Sequence, residues 1–149
     1  MTEPDPRFSL YGAAGLVDGE LLEADRTWRW LAYIQRDFEA VIDLGRIIPI
    51  RQLGLVCMQQ VFHGVYLPPE VEFSVSADNS AFVPAGVARP DVPPEVEGPF
   101  ATSMLAFVPD GVMGRYVRVR AVNRGTIPAG LLGAGGKAWL MVDEILVNP

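Results

Sequence analysis

The 149-residue chain is poor in the residues that most often carry chemistry: one cysteine, one histidine, and aromatic side chains at only 9% of positions. A single cysteine excludes an intramolecular disulfide. Cys57 lies in the apolar run Leu55-Val56-Cys57-Met58, where a packed, inert thiol is expected. A single histidine, His63, excludes a His-pair metal site, and no Gly-x-Ser-x-Gly elbow marks a serine nucleophile. Basic residues are also scarce. Lysine and arginine total 12 against 18 aspartates and glutamates, so the chain lacks the basic face that phosphate neutralisation needs, and nucleic acid is not an expected partner. No apolar stretch approaches the roughly eighteen residues of a membrane span. The opening Met1-Thr2-Glu3-Pro4-Asp5-Pro6 has neither the basic nor the apolar region of a signal peptide.

What the sequence does have is 15 glycines and 13 prolines on a background that is half hydrophobic and one-fifth charged. That mixture describes many turns around a real core, and the length fits one domain covering residues 1–149. Residues 115–122 alternate cleanly, Val117, Val119 and Ala121 facing one way and Tyr116, Arg118 and Arg120 the other, which is a strand with one wet face. Val71, Phe73 and Val75 give a second such strand, closed by Asp78-Asn79-Ser80. The stretches 38–44, 51–62 and 138–147 are longer and richer in Val, Ile and Leu, as central strands are. Between them lie turn-rich connectors at 12–26, 89–99 and 123–137. With no alternating helices, the expected class is all-β, an antiparallel β-sandwich or jelly roll.

Particular residues then add a family resemblance. Leu16-Val17-Asp18-Gly19, followed by Trp30, Tyr33 and Val41-Ile42-Asp43-Leu44-Gly45, resembles the opening of a discoidin-like (coagulation-factor type C) domain. Residues 68–78, a strand ending in Ser76-Ala77-Asp78, and Arg115-Tyr116-Val117-Arg118-Val119 resemble later strands of that family. The segment from Gly133 to Ile145, containing Lys137-Ala138-Trp139-Leu140-Met141-Val142-Asp143-Glu144, is similar to the ending of the accessory domains that close bacterial family-20 β-hexosaminidases. Where those domains tend to carry a Trp-His pair, this chain has Ala129-Gly130-Leu131-Leu132 after Pro128.

The resemblance implies a galactose-binding-like jelly roll without hydrolytic residues of its own, appended to a glycosidase. It also implies a secreted, periplasmic or cell-surface location, and a glycan or the neighbouring glycosidase domain as partner. A structural or protein-binding adhesion role is the alternative. A sugar site in such a module needs an aromatic platform and polar side chains for hydroxyls, and the expected candidates are Trp28, Trp30, Tyr33, His63, Tyr66 and Arg124, with Asn123 beside the last. Large aromatics are also often core pillars, and Trp30 and Trp139, each within a family-like segment, are expected to pack. The resemblance further implies a structural calcium ion held by Asp18 and Glu144, since calcium takes hard oxygen ligands. Asp143 and Glu144 are not expected to form a glycosidase acid pair, because adjacent residues on a regular strand point to opposite faces. The glycine-rich segment 130–138 has neither the spacing nor the Ser or Thr of a phosphate loop, and reads as a loop before the last strand.

Overall fold

The computed structural model describes residues 1–149, the side chains of Pro109 and Asp110 excepted. Six strands carry the fold: β1 (Leu31–Ile34), β2 (Phe38–Gln59), β3 (Val71–Ser76), β4 (Val83–Ala88), β5 (Phe100–Ala121) and β6 (Trp139–Val147), with single 3-10 turns at Pro6–Phe8, Gly12–Leu16, Thr27–Arg29 and Val61–His63. All pairings are antiparallel, in the order β1-β6-β2-β5-β3-β4.

The two 22-residue strands β2 and β5 make one hydrogen-bonded sheet serve as both layers of a sandwich. Their pairing slips between Asp43 and Ile48 and again between Ile50 and Gln52, where the ladder bends. Gly45 occupies that bend at φ +75°, a left-handed conformation that suits glycine, and its N–H is held by Asp43 Oδ1 at 2.8 Å. On one side of the bend the C-terminal half of β2 pairs with β6 and with the first half of β5. On the other side, the end of β5 pairs with the start of β2 and with β3. Side chains from both halves, among them Leu55 and Leu140 from one and Phe73 and Val119 from the other, form a single buried cluster.

A second, smaller core explains why residues 53–59 are buried without interruption. Leu55 and Cys57 point into the sandwich, whereas Val56 and Met58 point outward and are covered by Leu22 and Ala24 of the 12–30 excursion, together with Trp30 and Met141. The excursion is therefore a lid over the outer face of one sheet. Burial raises the Cys57 thiol far above its ordinary pKa and keeps it inert.

The expected strands at 38–44, 51–62, 71–76, 115–122 and 138–147 are all present, the first two fused into β2. The first half of β5, β1 and β4 were not expected. Arginines of β5 are paired with acids of neighbouring segments, Arg120 with Glu72 and Asp37 at 2.8 and 2.6 Å and Arg115 with Asp43, while Glu70 pairs with Arg89.

Candidate functional site

An open cleft of about 500 Å³ lies at one end of the sandwich where β6 begins. Trp139 is the first residue of β6 and is half-buried, packed against the second core while lining the cleft. Phe8 meets its ring edge-on at 5.8 Å between centroids, and the Arg7 guanidinium lies 5.1 Å from the ring centre. The Trp139 backbone is pinned to the 61–66 segment, its N–H donating to Gly64 O at 2.9 Å and its carbonyl accepting from Tyr66 N at 3.1 Å. Gly64 ends the Val61–His63 turn at φ +73°, which sets His63 on the rim.

Around the ring stand Asp25, Thr27, Gln60 and His63. None of these four side chains makes a hydrogen bond or ion pair among the described residues. Four unspent polar groups beside a partly exposed indole suit a ligand that has an apolar face and several hydroxyls. Nothing here supplies a nucleophile with an adjacent base.

The structure distributes the expected sugar-site residues widely. His63 lines the cleft, and Trp28, 56% exposed, sits next to Thr27 without lining it. Trp30, Tyr33 and Tyr66 offer no platform, because each is 1% exposed or less. Trp30 packs in the second core with its indole N–H on Glu23 O at 3.3 Å. Tyr33 gives its hydroxyl to Thr2 O, and burial raises its phenol well above the ordinary value. Tyr66 gives its hydroxyl to Leu132 O at 2.7 Å beneath the 128–136 loop. Arg124 lies over that ring and donates to Leu67 O at 3.0 Å, so it braces a loop, and desolvation lowers its pKa. Asn123 likewise holds the Tyr33 carbonyl. Trp139, expected to pack in the core, does pack against the second core, but it is only partly buried and also lines the cleft. Its place at the first residue of a strand, just after a glycine-rich loop, was the available signal.

Asp18, Asp143 and Glu144 meet at a separate junction. Between Leu55↔Ile145 and Cys57↔Val142 one β2 residue faces two of β6, a β-bulge at Asp143 and Glu144. The bulge corrects the alternation expected for this pair: both carboxylates turn toward the 18–22 loop, Glu144 Oε1 accepting from Gly19 N at 3.2 Å and Asp143 Oδ2 from Leu22 N at 2.9 Å. Both are buried, at 4% and 7% exposure, and desolvation pushes Asp143 up to about 6 and Glu144 upward. They remain unsuited to glycosidic chemistry because they are sealed under the loop.

Asp18 accepts from Glu20 N at 2.8 Å and has the Arg29 guanidinium at 3.7 Å. Glu144 Oε2 is buried without a partner. That orphaned carboxylate oxygen is a hard donor of the kind calcium takes. Among the described residues no three acidic, His or Cys side chains form a ready metal group, so the loop would have to supply further oxygens.

Comparisons with solved structures give the fold. The chain is similar to CBM32-3 of a family 31 glycoside hydrolase from Clostridium perfringens, with 15% identity over 97% of this chain and 84% of that one, at TM-score 0.57. CBM32-1 of a family 31 glycoside hydrolase from the same organism matches at 16% identity, over 95% and 87%, with TM-score 0.56. The CBM32 of AlyQ, solved in complex with 4,5-unsaturated mannuronic acid, matches at 12% identity, over 98% and 89%, with TM-score 0.53. The chain shares their jelly-roll fold. No family model and no curated protein sequence matches it.

Proposed function

We propose that this chain is a non-catalytic carbohydrate-binding accessory module of a glycoside hydrolase, with the Trp139 cleft as its glycan site. The observation that carries the reading is a cleft lined by the partly buried indole of Trp139 together with Asp25, Thr27, Gln60 and His63. A pyranose would rest its apolar C–H face on Trp139 while its hydroxyls take up those groups. The jelly-roll neighbours support it, since several are carbohydrate-binding modules of glycoside hydrolases. The segment 133–145 suggests a β-hexosaminidase as the parent enzyme.

The test is a glycan array followed by calorimetry with N-acetylglucosamine, galactose and their oligomers. Saturable binding that Gln60→Ala weakens supports the reading. No binding at millimolar sugar ends it and leaves a structural or adhesion role.

We also propose that Asp18 and Glu144 hold a structural calcium ion, completed by loop oxygens. The ion would neutralise the junction where the 18–22 loop meets β6 and fix the excursion that carries Asp25 and Thr27. Chelation should lower the melting temperature and added calcium restore it. A melting temperature indifferent to both would remove the ion.

A further inference from the structure

One wall of the cleft comes from the start of the chain, and its charge is arranged with care. Residues 2–8 are stitched to the sandwich: Thr2 N donates to Glu39 O at 2.7 Å, Asp5 N to Ala32 O at 2.8 Å, and Thr2 Oγ1 accepts from Glu39 N at 3.0 Å. At the end of this strap, Asp5 grips Arg7 through two parallel hydrogen bonds, Nε to Oδ1 at 2.9 Å and Nη2 to Oδ2 at 3.1 Å. The Arg7 backbone N–H donates to the same carboxylate at 3.1 Å, so Asp5 both caps the Pro6–Phe8 turn and fixes the side chain. The Asp5 side chain is only 14% exposed, whereas that of Arg7 is 67% exposed and reaches over Trp139. The guanidinium holds the Asp5 carboxyl below its usual range, and the field of Arg36 adds to this.

Arginine is the residue best shaped to take a sugar carboxylate, because two N–H groups in a plane match two oxygens. Here the Nε/Nη2 edge of that fork is already occupied by Asp5. The charge of Arg7 is cancelled by Asp5, and the cleft's other charged side chain, Asp25, is an anion without an ion-pair partner among the described residues. The whole chain adds a formal charge of −6. A fold of this type is no obstacle to acidic sugars, since the AlyQ module was solved with one. The choice must therefore lie in the side chains.

We propose that Asp5 is a specificity-determining residue: by locking Arg7 against Trp139 it makes the cleft refuse carboxylated sugars. This rests on the carbohydrate-binding reading of the same cleft. Asp5 touches no sugar itself and acts through Arg7. Release of the lock leaves a guanidinium at the ring with both parallel N–H groups free for a carboxylate.

The experiment compares galactose with galacturonate oligomers, and N-acetylglucosamine with glucuronate-containing oligomers, on the intact chain and on Asp5→Asn, by calorimetry at low and high salt. Asparagine keeps the turn cap, and a melting curve verifies the fold. The wild type should prefer the neutral member of each pair. In Asp5→Asn the uronate-to-neutral affinity ratio should rise about threefold or more at low salt, as loss of one charge pair allows. Adding Arg7→Met to that variant should cancel the gain. An unchanged ratio in Asp5→Asn, or a wild type that already favours uronates, overturns the proposal while the carbohydrate reading stands. A chain that binds no member of either pair overturns both.

Discussion

The cleft and the junction share two pieces of chain, β6 and the 12–30 excursion, and they differ in what becomes of their polar atoms. At the junction the loop amides of Gly19 and Leu22 are spent on Glu144 and Asp143, and the carboxylates are sealed from water. Four residues back along β6 the strand begins at Trp139, and the other polar residues lining that cleft, Asp25 and Thr27 from the same excursion with Gln60 and His63, have side chains with no hydrogen bond or ion pair among the described residues. Polar atoms already satisfied by backbone define structure, and polar atoms left free beside an accessible ring define recognition. The excursion thus links the two regions, since its 18–22 end is clamped to β6 while its 24–27 end forms a wall of the cleft.

The largest effect that separates the two roles comes from the tryptophans. Trp30→Ala should cost about 3–5 kcal/mol of stability, read from a denaturant titration, because it empties the centre of the second core. Trp28→Ala should stay within about 0.5 kcal/mol, as its ring is mostly in solvent. Trp139→Ala should instead show itself in binding. Loss of a central aromatic anchor costs about 2 kcal/mol or more, roughly a thirtyfold weakening of glycan affinity by calorimetry.

At the junction the sign of the pH dependence is informative. With chelator present, the folded protein holds Asp143 up to about 6 against 3.8 for an ordinary aspartate, so the folded state binds more protons between those values. Stability should therefore fall as pH rises from about 4 through 6, by up to about 3 kcal/mol. Asp143→Asn keeps an acceptor for Leu22 N–H and should flatten that slope and raise the midpoint at neutral pH. A flat profile would mean that the carboxylate is solvated, and a slope of opposite sign that its ionised form is favoured by the fold. Calcium, which needs ionised carboxylates, should stabilise most above pH 6.

The smallest effect belongs to the exposed pair of Arg115 and Asp43, which touches neither region. Arg115 holds the Asp43 carboxyl down to about 2, so its contribution is present above the ordinary aspartate range and is lost as pH falls toward 2. Arg115→Gln should shift the acid limb of a melting-versus-pH curve slightly and leave the neutral region and the cleft unaltered.

How much of this was legible in the sequence depends on whether a residue's role follows from a period. The alternation of 115–121 and the apolar runs of β2 and β6 gave their strands, since burial on one face or both leaves that pattern. The first half of β5 did not, because it exposes Leu105 at 40% and Phe107 at 75% and so breaks the rule that reveals a strand. At the site, local pattern misled twice, once through strand periodicity and once through loop-side aromatics. It placed Asp143 and Glu144 on opposite faces, but a bulge, invisible in composition, brings them together. Aromatic residues near loops suggested Trp30, Tyr33 and Tyr66, yet coverage by distant segments buries all three. Asp5 and Arg7 belong to no pattern at all; only the docking of the strap gives them a place.

The most direct measurement is a calorimetric titration of the intact chain with N-acetylglucosamine and galactose oligomers, run beside Trp139→Ala under the same conditions. Saturable heat at millimolar sugar in the parent chain, lost in a variant that still melts cooperatively, is the expected result. Binding by the variant equal to that of the parent chain, or no binding by either, would contradict the assignment of the cleft as a glycan site.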